Sequence, residues 1–446
     1  MKRLALIVSA IAMTATAATA QDATEFKNGG EFRARYENFF NKNSQESSAA
    51  EQHIDSRLKW NMNIRKGERL QAQVSLIHSA RLGGAGQGLA AGDIQTQYNA
   101  GTQNVLLVNR AWGWWRATDM VSIKFGRIGI DFADGAVFSE NDWQQVPYAH
   151  EGVNVAIDSS FATFNVYGLK TVDAGAAPIA GNSDPEQNLY MLTADLKNMP
   201  EVIKMANIHL IDVVRNNGVT AAPGTGAPAA GTSSNWQHLG LTVGGDVAGF
   251  MYKGTAAFQF GNFSKPAAGG TEVSQSANMF DLMVGYGLPE TMGLKLSAGY
   301  HMDSGDDAST TDKNEGYQSL FYDRHNYAGL MDVLDWGNLS YFNVNASIMP
   351  AEDLEAGLGF YMFSRSKDTG AVTFGQGFNN TPATTLASGS ALGSEVDVFA
   401  NKAYGPDMKV GARYSMFMPG DALKNATVGK SEKMAHMAYL QASIGF

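Results

Sequence analysis

Basic side chains recur at alternate positions in the first quarter of the 446-residue chain. Arg33 and Arg35 alternate with Phe32, Ala34 and Tyr36, and Arg57, Lys59 and Arg65 alternate with Leu58, Trp60, Met62 and Ile64. Arg69, Arg110, Arg116 and Lys124 follow at wider spacing. Residues two apart share one face of a strand, so these cations would line a single wall. Guanidinium groups stay charged at any relevant pH and match carboxylates in a bidentate way. Such a wall makes and breaks no bonds. It sets up a field that would concentrate anions and let them pass from site to site. Glu31, Glu37 and Asp55 interleave on the same face, so a second reading stays open, in which cross-strand ion pairs neutralise the wall.

A second group lies in 128–148. Arg127 precedes it, and Asp131, Asp134, Glu140 and Asp142 stand among Phe132, Phe138 and Trp143. The stretch is too long for a hairpin turn and too apolar to sit in water. Folded inward onto the wall, it would bury its rings and set carboxylates against the arginines, giving a transverse field at a constriction.

The elements that hold these residues are strands. In 53–65 the odd positions are polar and the even positions mostly apolar, a pattern that sorts at 180° per residue and scatters at 100°. Residues 31–37, 294–301 and 408–415 repeat it. Short turns alternate with long polar or Gly/Ala/Ser-rich stretches along the chain. The rhythm predicts about 18 antiparallel strands, with short periplasmic turns and long extracellular loops. No segment after residue 20 approaches the roughly 18 continuous apolar residues of a spanning helix. Residues 1–20 read as a removed signal peptide, with Lys2-Arg3, an apolar run and Ala18-Thr19-Ala20. The last strand alternates Leu440, Ala442 and Ile444 with Gln441, Ser443 and Gly445 and ends on Phe446. The expectation is an all-β transmembrane barrel in the bacterial outer membrane, residues 21–446 forming one domain. Its partners would be lipid, lipopolysaccharide, small hydrophilic or anionic solutes, and the barrel-assembly machinery acting on the strand that ends at Phe446. Oligomeric state is left open.

Composition narrows the function classes. The formal net charge is -10, which argues against nucleic acid as a partner. Residues 21–130 hold 14 Lys/Arg against 10 Asp/Glu, while 131–446 hold 17 against 33. The absence of cysteine suits an oxidising compartment. A soluble sandwich would not hold so many strands without a second domain boundary. None of the eight histidines stands in a local catalytic motif, and there is no Walker loop or His/Cys cluster. The chain is therefore expected to be no enzyme and to carry no cofactor or metal. A general diffusion porin is one alternative to an anion channel, and a structural, adhesive or receptor barrel without an open pore is another. Trp60, Trp112, Trp114, Trp115, Phe39, Phe40 and Tyr439 suit interfacial aromatic girdles, with sugar stacking as the rival for Trp112 to Trp115. Asp303, Asp306, Asp307 and Asp312 read as solvated loop surface, or as bridging to lipopolysaccharide through divalent cations.

Three stretches resemble the alginate-export outer-membrane porin family. The first joins Phe125-Gly126-Arg127, Asp134-Gly135, Asn141-Asp142-Trp143 and Glu151-Gly152-Val153. The second is Tyr327 to Asp332 with Asp335-Trp336-Gly337-Asn338-Leu339, and the third is Leu392 to Asp397 with Phe417 to Asp421 and Tyr439-Leu440. The resemblance implies an 18-stranded barrel and passage of an anionic polysaccharide through a basic pore. The acidity of the later loops departs from that pattern.

Overall fold

The computed structural model describes residues 24–41, 51–82, 105–173, 186–216, 232–266, 271–368, 370–375, 386–426 and 432–446. The signal-peptide reading of 1–20 falls outside them. The main sheet has 19 members, one of which is the two-residue segment Lys313–Asn314 lying parallel to Ser274–Gln275. The other 18 are barrel strands, numbered here in chain order. They are β1 (Thr24–Phe40), β2 (Glu51–Lys66), β3 (Leu70–Leu82), β4 (Val105–Arg116), β5 (Val121–Ile128) and β6 (His150–Asp158). Next come β7 (Ala162–Asp173), β8 (Glu186–Leu196), β9 (Met205–Asn216), β10 (Thr232–Val247), β11 (Phe250–Pro266) and β12 (Val273–Leu288). The last are β13 (Leu294–Asp303), β14 (Leu339–Ala351), β15 (Leu354–Arg365), β16 (Ala391–Tyr404), β17 (Met408–Pro419) and β18 (Ala435–Gly445).

Each strand pairs antiparallel with its chain neighbour, and β1 pairs antiparallel with β18 from Glu31↔Gly445 to Phe40↔His436. Closure removes the unpaired edge that hydrocarbon forbids. The seam ends on Gly30, which exchanges two main-chain hydrogen bonds with Phe446 at 2.8 and 3.1 Å. A Cβ at Gly30 would stand 2.3 Å from the Lys59 carbonyl and 2.7 Å from the Phe446 ring. Only glycine lets the terminal aromatic lie against the wall here.

Outward faces carry the large exposed apolar groups, such as Phe32, Leu58, Leu241, Phe258, Leu282, Leu358 and Leu440. Exposed rings gather toward the turn end at Phe26, Phe161, Phe250, Tyr286 and Phe446. Others lie toward the loop end at Phe40, Tyr190, Phe260 and Tyr300. These are the two interfacial belts of a membrane barrel. Strict alternation splits neighbouring aromatics between faces. Phe40, Trp60 and Trp115 point outward, whereas Phe39, Trp112, Trp114 and Tyr439 point into the lumen. The girdle expectation therefore fails for those four.

The buried apolar cluster does not lie between layers of sheet. It fills part of the lumen, built from the inward face and from two long connections, 129–149 and 304–338.

Candidate functional site: a loop-lined constriction

The first connection, 129–149, is fixed at one end to the β1–β2 wall. Arg33 donates from Nη1 to the Asp142 carbonyl at 2.8 Å and from Nη2 to the Gln144 carbonyl at 2.8 Å. Arg57 lies between the Glu31 carboxylate at 2.7 Å and the Asp142 carboxylate at 2.9 Å. Lys59 reaches Asp142 Oδ1 at 3.2 Å. Arg110 pairs with Glu140. Burial pushes the Asp142 carboxyl up, but Arg57 and then Lys59 outweigh it and hold the group down at about 2. Asp131 goes the other way, raised by burial, while its Oδ1 accepts the Glu140 N–H at 2.7 Å.

The other end of the connection reaches the opposite wall. Asp134 meets Lys253 of β11 at 2.6 Å, and the Asp134 carbonyl accepts from the Tyr327 hydroxyl at 2.9 Å. The connection thus crosses the lumen from β1–β2 to β11. Five cations, Arg33, Arg35, Arg57, Lys59 and Arg110, converge with five carboxylates, Glu31, Glu37, Asp131, Glu140 and Asp142.

The second connection, 304–338, packs on the first. Phe138 lies against Phe321 with ring centroids 4.9 Å apart, and the Ser139 N–H donates to the Phe321 carbonyl at 2.6 Å. Trp143 is sandwiched, with the Arg35 guanidinium 3.3 Å from its centroid on β1 and the His325 ring stacked at 3.7 Å. His325 in turn meets Asp332 at 3.2 Å through Nδ1 and the Arg413 guanidinium of β17 at 2.7 Å through Nε2. The Glu395 and Asp397 side chains of β16 accept the Met331 and Leu330 amides at 2.8 and 3.2 Å. Gly329 stands at φ +88°, and a Cβ there would meet the Glu395 carboxylate at 2.5 Å. Trp336 stacks 4.2 Å from His301, which sits between Asp281 at 3.3 Å and Asp303 at 3.1 Å.

Two expected placements change. Arg127 stands on the opposite face from inward Ile128, facing out of the barrel near its loop end, and pairs with Glu151. It is not part of the constriction, because alternation continues unbroken from β5 into its pairing with β6. Asp303 is fully buried and accepts the Gly337 and Leu339 amides at 3.0 and 2.7 Å. It anchors 304–338 and is no solvated or lipopolysaccharide-bridging group. Asp307 pairs with Lys367. Arg65 donates to the Gly67 carbonyl at 2.9 Å and Arg116 to the Asp119 carbonyl at 3.3 Å, so both lie at the turn-side rim. Lys124 sits 4.7 Å over the Trp112 ring.

Sequence reasoning missed 304–338 as a lumen-filling segment, and with it Lys253, Arg413, Glu395 and Asp397. A signal was present: Tyr327 to Asp332 and Glu395 to Asp397 are stretches of the family resemblance, and in the folded chain they bind each other. Between β15 and β18 on the turn side lies a recess of about 380 Å³ lined by Glu355, Lys409, Arg413 and Gln441 among others. Among the described residues no group of acidic or histidine ligands is arranged to hold a metal ion.

The family model for alginate export matches residues 25–436. The chain belongs to the alginate-export family. No curated protein sequence matches it. Solved structures share its fold. Pseudomonas aeruginosa OccK9 (OpdG) aligns with TM-score 0.61 at 12% identity, over 95% of this chain and 98% of that one. The outer membrane protein opdK of the same organism aligns with TM-score 0.58 at 12% identity, over 94% and 99%. OccK2 (OpdF), solved in complex with glucuronate, aligns with TM-score 0.57 at 11% identity, over 95% and 96%. This member of the alginate-export family is a bacterial outer-membrane channel for small solutes, surrounded by membrane lipid.

Proposed function

We propose that the channel favours small organic anions, with carboxylates of acidic saccharides as the preferred class. The observation that carries this reading is the convergence of Arg33, Arg57 and Lys59 on Asp142, where the connection 129–149 narrows the lumen. Solutes passing there meet the partly exposed Lys59 and Arg110, groups that bind carboxylates well, while the buried Arg33 and Arg57 act through their field. Glu31, Glu140 and Asp142 keep the cations from trapping an anion permanently, since conduction needs binding weak enough to release. The glucuronate bound to OccK2 (OpdF) supports a uronate as a suitable solute for a barrel of this fold. On this reading the chain performs no bond chemistry. Residues 21–446 act as one domain after loss of the signal peptide, and the strand ending at Phe446 is what the assembly machinery reads.

The test is the reversal potential across a planar bilayer in a potassium chloride gradient. Arg33→Gln, Arg57→Gln and Lys59→Gln combined should move it toward cation selectivity. An unchanged reversal potential in that triple variant, with an intact heat-modifiable barrel, would dismiss anion preference and leave a general diffusion porin.

A further inference from the structure

We infer that the lumen wall on the turn side of the constriction is a stacking shelf for acidic sugar rings. The inference rests on the anion preference proposed above and adds the part of the wall that would recognise the sugar itself.

The shelf is a row of side chains in cross-strand register. Arg65 of β2 pairs with Gln71 of β3, Gln71 with Trp114 of β4, Trp114 with Lys124 of β5, Lys124 with Asn154 of β6, and Asn154 with Tyr167 of β7. One step toward the loops lies a second row, Asn63, Gln73 and Trp112. The Trp112 indole N–H donates to Gln73 Oε1 at 3.0 Å, and Gln73 Nε2 donates to Asn63 Oδ1 at 2.9 Å. The next inward residues on β2 and β4 are Lys59, beyond Asn61, and Arg110. The shelf therefore continues the constriction along the same wall, and a solute leaving one arrives on the other.

The residue types fit an acidic saccharide better than any simpler solute. Two indoles about 7 Å apart along one strand are a costly choice for a wet wall, since they expose apolar surface to water. They are not girdle residues, because they face inward. Indole faces cover the C–H face of a pyranose ring, and the flanking amides of Gln71, Gln73 and Asn63 exchange hydrogen bonds with its hydroxyls. Lys124, which lies 4.7 Å over one face of the Trp112 ring, and Arg65 supply carboxylate partners, and the Trp114 ring and the other Trp112 face are left for the sugar. An inorganic anion would use only the cations, and a neutral sugar only the rings and amides. A uronate uses all three.

The experiment is current block of the full-length channel in a planar bilayer, with a galacturonate trimer as probe and maltotriose as the neutral comparison. In the wild type the galacturonate trimer should block potassium chloride current at a concentration at least about tenfold below that of maltotriose. Trp112→Ala with Trp114→Ala should raise the half-blocking concentration by about tenfold and leave the reversal potential unchanged. The paired Phe variant, which keeps an aromatic face, should stay within about threefold of wild type. Equal block of wild type and the Ala pair, or no block of wild type, would overturn the shelf. Neither result touches the reversal potential, which alone decides the anion preference, so the two readings fail separately.

Discussion

Protonation of His325 would oppose the docking of 304–338. Its Nε2 accepts from Arg413 and its Nδ1 donates to Asp332, so the docked ring is neutral. Burial lowers its pKa, Asp332 opposes, and Arg413 and Arg35 add to the lowering. A histidine whose docked pKa lies below its free value gives docking free energy that is complete above about 6.5 and declines as pH falls below it. Asp142 behaves differently. Held down at about 2, it contributes fully above about 4 and loses that contribution only as pH falls toward 2. The connection 304–338 should therefore loosen before 129–149 on acidification. Open-channel current noise at pH 5 should exceed that at pH 7.5, and His325→Gln should abolish the difference. A pH response retained in that variant would assign the titration to another group.

At the scale of elements, the two inward connections are held by unlike means. The 129–149 segment hangs on ion pairs and on guanidinium groups capping its carbonyls. The 304–338 segment hangs on buried rings and on carboxylates of the wall that accept its amides. Gly329→Val would drive a branched side chain into Glu395 from a backbone conformation that disfavours it, at a cost of about 1–3 kcal/mol. The barrel should still form, with a larger and noisier single-channel conductance. Replacing 134–145 by a glycine-serine linker should also raise conductance, because it removes the segment joining the β1–β2 wall to Lys253. Unchanged conductance in both variants would mean that neither connection narrows the path. Much of this was hidden in the sequence for a physical reason. Phe132, Phe138 and Trp143 marked 129–149 as poorly suited to water, but the acidic opening of 304–338 masked Phe321, Tyr322, Tyr327 and Trp336 behind it.

The whole molecule depends on its seam. The exchange between Gly30 and Phe446 joins the two ends of the sheet. Gly30→Val should cost about 1–3 kcal/mol of barrel stability, read as a lower temperature at which the compact form on unboiled gels converts to the unfolded one. An unaltered conversion temperature would show that the seam tolerates a side chain there.

What the chain determines by itself is local: period-two alternation sorts each strand into a lipid face and a wet face, and turn chemistry sets the strand count near 18. Alternation alone also decides that Trp114 and Trp115 must part company, although it does not say which one faces water. Tertiary structure decided the rest. Phase is fixed only when a strand is paired between its neighbours, as Arg127 shows by facing outward beside Glu151. Partners are fixed only when distant segments meet, as Asp142 meets Arg57, and Leu330 and Met331 meet Asp397 and Glu395. Side-chain direction repeats every two residues and can be read from a short window. Contacts across a lumen join positions up to hundreds of residues apart and leave no periodic trace.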